Sequence, residues 1–261
     1  MKKYYIMMLK PTAQYHIFVF RAIDEPALCK AYIDGHRKVL SDYGIENVTT
    51  NTDDWMYNPH IYCTVIQDRN SNELVGGVRI QIADGKHPLP VERAIGYMDH
   101  HVFDKVRHYA LDGGIGESCG LWISKKVKQM GLSRYLMWAS IASSEQLKFQ
   151  TMLGICAGYT LKLFGSLGFV IDMSLGEHGG FPYPNEKYIA HVIGILNAIT
   201  LETSDQQDKE VMLSLRNKPV QERVENNNGF TCHISYDIIY KNIVPVVIDD
   251  YWTYSNMLSL E

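Results

Sequence analysis

Along this chain, stretches whose apolar residues recur every three or four positions alternate with runs of β-formers, and turn residues separate them. In PALCKAYIDGHRKVLSDY, residues 26–43, Leu28, Tyr32, Val39 and Leu40 fall at helical spacing, and Gly44 supplies the stop. IYCTVIQD (61–68) and LVGGVRIQI (74–82) are joined by the turn chemistry of RNSN, which predicts an antiparallel hairpin. After the proline-bounded loop at 87–90, residues 91–111 predict a helix. GESCGLWIS (116–124) predicts a mostly buried strand, a short turn holds Gly131, and LSRYLMWASIASSEQL continues with helical composition. FQTMLGICAG (149–158) is the next strand, and TLKLFGSLGFVI supplies a helix closed by Gly168 ahead of another strand.

This order of strand, helix, strand, helix, strand predicts an α/β architecture. Beyond residue 200 the character changes: ETSDQQDKE is polar, NNNG (226–229) is a turn, and TCHISYDI alternates as a strand does. The expectation is one main domain over residues 1–200, with residues 201–261 as an extension packed on its core.

Composition narrows the function classes. A chain of 261 residues with 46% hydrophobic content can bury one substantial core. Its net charge of −4 is spread over interspersed acidic and basic residues, so no basic field suits nucleic acid. The five cysteines (Cys29, Cys63, Cys119, Cys156, Cys232) are scattered, odd in number and never form CxxC, against a disulfide framework or a zinc ribbon. The N-terminal MKKYYIMMLKPTAQYH has only a short apolar run, broken by Lys10, and makes a poor signal peptide. No stretch approaches the roughly 18 apolar residues of a membrane span. The simplest setting is soluble, reducing and cytoplasmic.

The segment with most chemistry is LWISKKVKQMGLSRYLMWA, residues 121–139. A strand that turns tightly into a helix leaves the first helical N–H groups without intrahelical acceptors, and those donors with the helix dipole suit a diphosphate. Gly131 can take angles closed to other residues and let a phosphate approach, while Lys126, Lys128 and Arg134 add positive charge. An ordinary strand-to-helix connection would have the same outline. Walker A and GxGxxG patterns are absent.

This segment resembles the coenzyme A motif of the GNAT superfamily of N-acetyltransferases, in which an aliphatic strand end precedes Arg or Gln and then xxGxG or xxGxA. Ile123 is the aliphatic residue, Lys128 stands for the Arg or Gln, and Gly131 and Ser133 hold the small positions. LFGSLGF (163–169) is similar to the family's second signature, LYEKLGF. The resemblance spans roughly residues 20–200 and implies a GNAT-type fold, a central mixed, mostly antiparallel twisted sheet flanked by helices. It implies an acyl-CoA co-substrate, usually acetyl-CoA, bound by Trp122, Ile123, Lys128, Gln129, Met130, Gly131, Leu132, Ser133, Arg134 and Phe164, with no metal. Lys128 and Ser133 depart from the usual residues, as do Ala157 and Thr160 where Asn and Ala are frequent. Phe164 replaces the tyrosine that protonates the departing thiolate in many members.

GHRKVLSDYGI, Trp55, GGVRI and GES also look like the acyl-homoserine lactone synthase branch, without its second arginine, since Gly120 stands there. Glu117 is the resemblance's acid–base candidate, and a solvated strand-end glutamate is its plain counterpart. Arg79 suits an anionic substrate group through a bidentate contact, or a structural role. FPYPNEKY (181–188) places Phe181 and Tyr183 near the expected acceptor entrance. His101, Asp104 and His108 have a spacing that could share a helix face, but no further metal ligand is visible and a solvated face is expected.

Three functions remain open: an acyl-CoA-dependent N-acyltransferase acting on a small amine, an autoinducer-synthase-like enzyme drawing on acyl-carrier protein, and a non-catalytic ligand-binding module. The implied partner is a small-molecule amine, without nucleic acid or membrane, and the resemblance allows a homodimer.

Overall fold

The structure, a computed structural model, describes residues 12–44 and 53–248. The N-terminal run weighed as a signal peptide lies almost wholly outside these residues, as do residues 249–261. Ten strands and six helices follow one another as β1 (Ala13–Arg21), α1 (Pro26–Asp42), β2 (Ile61–Asp68), β3 (Leu74–Ile82), α2 (Pro90–Ile95), α3 (His101–Leu111) and β4 (Ile115–Ile123). Then come α4 (Leu132–Ala142), β5 (Thr151–Ala157), α5 (Leu161–Ser166), β6 (Val170–Ile171), β7 (Gly180–Pro182), β8 (Ile189–Ile195), α6 (Gln206–Asn217), β9 (Val220–Asn227) and β10 (Phe230–Asp237).

All ten strands share one sheet, ordered β6-β8-β5-β4-β3-β2-β1-β10-β9, with β7 also on β8. Only β1–β10 and β4–β5 are parallel pairs, so the sheet is mixed and mostly antiparallel, as the GNAT resemblance implies. α4 lies on one face over β2, β3 and β4, with α6 against it. This side carries the largest core, with Leu136, Trp138 and Ile141 of α4 among its buried residues. α1 covers β3 and β4 with a second apolar cluster around Tyr32, Trp55 and Trp122.

The expected helix 26–43 is α1, begun by Pro26 in its first turn and closed before Gly44 at φ +67°. The expected antiparallel hairpin of β2 and β3 is present, and both strands are buried almost throughout because β1 and β4 flank them. The single helix expected over 91–111 is two helices, and Gly96 gives the reason. A Cβ there would lie 2.3 Å from Phe103 Cζ and 2.4 Å from the Glu92 carbonyl, so the chain reverses tightly where α3 folds back on α2. The helical run after Gly131 ends at Ala142, where Ser143 Oγ donates to the Ala139 carbonyl at 2.8 Å and competes with the next turn.

The residues after 200 carry α6 and the β9–β10 hairpin. β10 pairs in parallel with β1 from Ala13↔Cys232 to Phe18↔Asp237, so this segment extends the central sheet itself. β1, β7, β8 and β9 were not foreseen in the sequence.

Candidate active site

β4 and β5 begin side by side, pairing Ile115↔Thr151, Gly116↔Met152 and Glu117↔Leu153. Their pairing then stops although β4 runs on to Ile123 and β5 to Ala157. The two strands therefore part, and a cavity of about 230 Å³ opens between them, walled by Ser118 to Leu121 on one side and Ile155 to Ala157 on the other. Phe164 of α5, His36 and Leu40 of α1, Pro90 and Tyr183 complete it.

Glu117 stands at the last paired rung, where the strands separate. It is 1% exposed, and its Oε2 accepts the Val91 N–H at 2.7 Å from the first turn of α2. Burial pushes its carboxyl up to about 8, with the neighbouring Glu92 adding to the rise. Glu92, whose Oε2 accepts the Leu89 N–H at 2.7 Å, is itself lifted to about 7 by burial. His36, stacked on Tyr32, is held down at about 4 by burial and by Arg79 and Arg37, so its imidazole is neutral near pH 7.

On the α1 side of the sheet, Arg79 sits opposite Cys119 and Gln81 opposite Glu117. Arg79 is 2% exposed, lies over the Trp55 ring at 4.0 Å, and donates through Nε to Cys119 Sγ at 3.2 Å. Burial pushes the Cys119 thiol up to about 11, so this partner is neutral. Arg79 Nη1 is buried with no hydrogen-bond acceptor among the described residues. The guanidinium borders a second cavity of about 150 Å³, lined also by Trp55, Asn58, Gln81 and Arg93, and Pro90 borders both cavities.

The turn before α4 places Gln129 at φ +72° and Gly131 at φ +81°. Among the described residues nothing accepts the backbone N–H of Gln129, Met130, Gly131, Leu132 or Ser133. Successive free N–H groups in such a turn form an anion-binding concavity. Met137, six residues past Gly131 and so about 9 Å along the helix, meets Ser118 Oγ at the wall of the wedge.

The other sequence candidates divide. Lys128 is exposed, whereas Lys126 pairs with Glu73 at 2.7 Å and Arg134 pairs with Asp208 at 2.6 Å, so two of the three cations are engaged within the fold. Trp122 packs into the α1 cluster against Tyr32, and Ile123 and Leu132 belong to the main core, leaving only their backbone for a ligand. Met130 Sδ accepts from Tyr15 Oη at 3.0 Å. Phe181 is packed in the cluster beneath α2 and α3, while Tyr183 reaches the wedge. His101 leans on Asp99, with Nδ1 to Oδ1 at 2.9 Å. Gly131 takes the left-handed angle expected of a glycine there, and a Cβ would also meet Asn227 and the Tyr135 hydroxyl, each at 3.0 Å. His36 and Tyr159 were not foreseen as lining groups, nor Glu92 as the charged neighbour of Glu117. Tyr159 precedes α5 in a 3-10 turn and borders the same wedge as Phe164.

No protein-family model matches the sequence, and no curated protein matches it. Solved structures do match in fold. The N-acyl amino acid synthase FeeM, from uncultured soil microbes, superposes with a TM-score of 0.54 at 10% identity, over 76% of this chain and 99% of its own. The CoA-dependent acyl-homoserine lactone synthase BjaI, solved with SAM and isopentyl-CoA, gives 0.51 at 14% identity, over 78% of this chain and 90% of its own. With the parted β4 and β5 and the turn that leads into α4, these likenesses give the chain the GNAT-type fold that the sequence motifs imply.

Proposed function

We propose that this protein is an acyl-CoA-dependent N-acyltransferase that moves an acyl group, acetyl or longer, directly onto a small amine. The observation that carries the reading is Glu117, a buried carboxyl at the apex of the wedge between β4 and β5. The donor's diphosphate rests on the free N–H groups of Gln129 to Ser133, with Lys128 adding charge, and its thioester enters the wedge beside Phe164. A primary amine is mostly protonated near neutral pH and cannot attack a thioester in that form. Glu117, titrating at about 8, takes this proton directly or through a water once ionised. The amine nitrogen then attacks the thioester carbonyl carbon, the C–S bond breaks as CoA thiolate leaves, and the second proton of the attacking nitrogen passes through water to that thiolate, giving the neutral amide and free thiol.

Arg79 supports an acceptor with an anionic group. A buried guanidinium without an ionised partner is costly, and the open Nη1 beside a cavity offers that cost a remedy when a carboxylate binds. FeeM is an N-acyl amino acid synthase, which fits such an acceptor. All five cysteines are free and buried, in keeping with a cytoplasmic setting, and no described helix is long and apolar enough to cross a membrane.

The test is calorimetric titration with CoA, followed by thiol release from acyl-CoA with amines that carry or lack a carboxylate. Binding with carboxylate-dependent release is expected. Release with an acyl-carrier protein alone would transfer the reading to a carrier-protein donor, and no binding or release would overturn it.

A further inference from the structure

The β9–β10 hairpin closes through Asn228 and Gly229, both at positive φ (+48° and +76°), the geometry that asparagine and glycine favour in a two-residue hairpin. Its tip does not project freely. Asn227 Nδ2 donates to the Gln129 carbonyl at 2.8 Å, and Asn228 Nδ2 donates to the same oxygen at 3.2 Å. One carbonyl thus receives two side-chain amides from a segment about a hundred residues away in sequence.

Gln129 is the residue that needs holding. It carries a Cβ at φ +72°, a left-handed conformation that a side chain disfavours and that persists where the surroundings impose it. Asn227 also fills the side of Gly131 where a Cβ would sit, at 3.0 Å. The tip therefore touches both left-handed residues of the turn whose N–H groups lack acceptors.

We infer that the hairpin tip is a positioning element of the donor site: Asn227 and Asn228 lock the Gln129–Gly131 turn so that its N–H groups stay aimed at the donor's diphosphate. The inference rests on the assignment of that turn to the donor. A purely structural clasp of the region after residue 200 onto α4 already exists in the buried Asp208 of α6, which pairs with Arg134 and accepts from Trp138 Nε1 at 2.6 Å. The asparagines lie at a solvent-facing tip, where substitutions cost little global stability.

The experiment compares wild type, the double variant Asn227→Ala with Asn228→Gly, in which glycine keeps the positive φ of the turn, and Asn227→Asp, by calorimetry with CoA and with pantetheine, which lacks the diphosphate. Expected for the double variant is roughly tenfold weaker CoA binding, unchanged pantetheine binding, and a melting temperature within about 2 °C of wild type. Asn227→Asp is expected to bind CoA more weakly still, because a carboxylate cannot donate to the Gln129 carbonyl and repels a diphosphate. Equal CoA affinity in wild type and double variant overturns the inference while leaving the donor site in place. Equal weakening for CoA and pantetheine also overturns it, since that is general loosening. Failure of wild type to bind CoA overturns the donor assignment and the inference together.

Discussion

Glu117→Gln separates the charge of this carboxyl from its shape, because the amide oxygen still accepts the Val91 N–H but the side chain never ionises. In the wild type, burial holds the group at about 8 against an ordinary 4.5. Between those values the folded protein keeps a proton that the unfolded chain has released, so stability is fully present below about 4.5 and declines as pH rises toward about 8. The slope is about 1.4 kcal/mol per pH unit where only the folded state is protonated. From about pH 6 to about pH 8, allowing for partial ionisation near the upper end, the wild type should lose about 2 kcal/mol relative to Glu117→Gln. Glu92, raised to about 7 by burial, contributes with the same sign in both proteins and largely cancels in the difference. Urea unfolding of both proteins across that range measures the effect, and thiol release measures the chemistry, where the variant should be slower by roughly 10²-fold or more. Wild-type activity should rise toward about pH 8 as Glu117 ionises, and the variant should lack that limb. A stability difference that stays constant across the range would mean that the carboxyl titrates normally, and the case for a buried base would fall with it.

Asp208→Ala should destabilise the fold by about 3–5 kcal/mol, because it strands the half-buried Arg134 and removes the acceptor of Trp138; chemical denaturation reads this, and a loss under about 1 kcal/mol would contradict it. Phe164→Tyr restores a hydroxyl at the wall of the wedge, yet kcat should change by less than about tenfold, since thiolate is a tolerable leaving group and Tyr159 or water can reach the same opening. A much larger gain would show that the native site lacks an acid it needs.

Much of the scaffold was legible because its signals are local. α1 announces itself by spacing and its glycine stop, and the β2–β3 hairpin by β-rich runs around a turn. The NNNG turn was equally plain, but its docking on Gln129 was not, since only the folded sheet brings β10 beside β1. β1 went unread because His16 and Gln14 interrupt its apolar pattern, although its inward residues, Tyr15 and Ile17, are buried. In the site, Glu117 was reached through motif resemblance, whereas the pairing of Arg79 with Trp55 joins residues on separate elements and leaves no local trace.

The parallel seating of β10 beside β1 also sets a timetable for biosynthesis. A chain emerging from the ribosome has β1 and its neighbour β2 long before residues 230–237 exist to cover the other edge of β1. Until then β1 offers an open row of backbone donors and acceptors, the kind of edge that recruits other strands. Arg134 lacks Asp208 and Gln129 lacks its two amides over the same interval. Nascent chains halted before residue 205 should therefore be sticky and unable to hold a donor, which couples first competence for binding to the arrival of the β9–β10 hairpin.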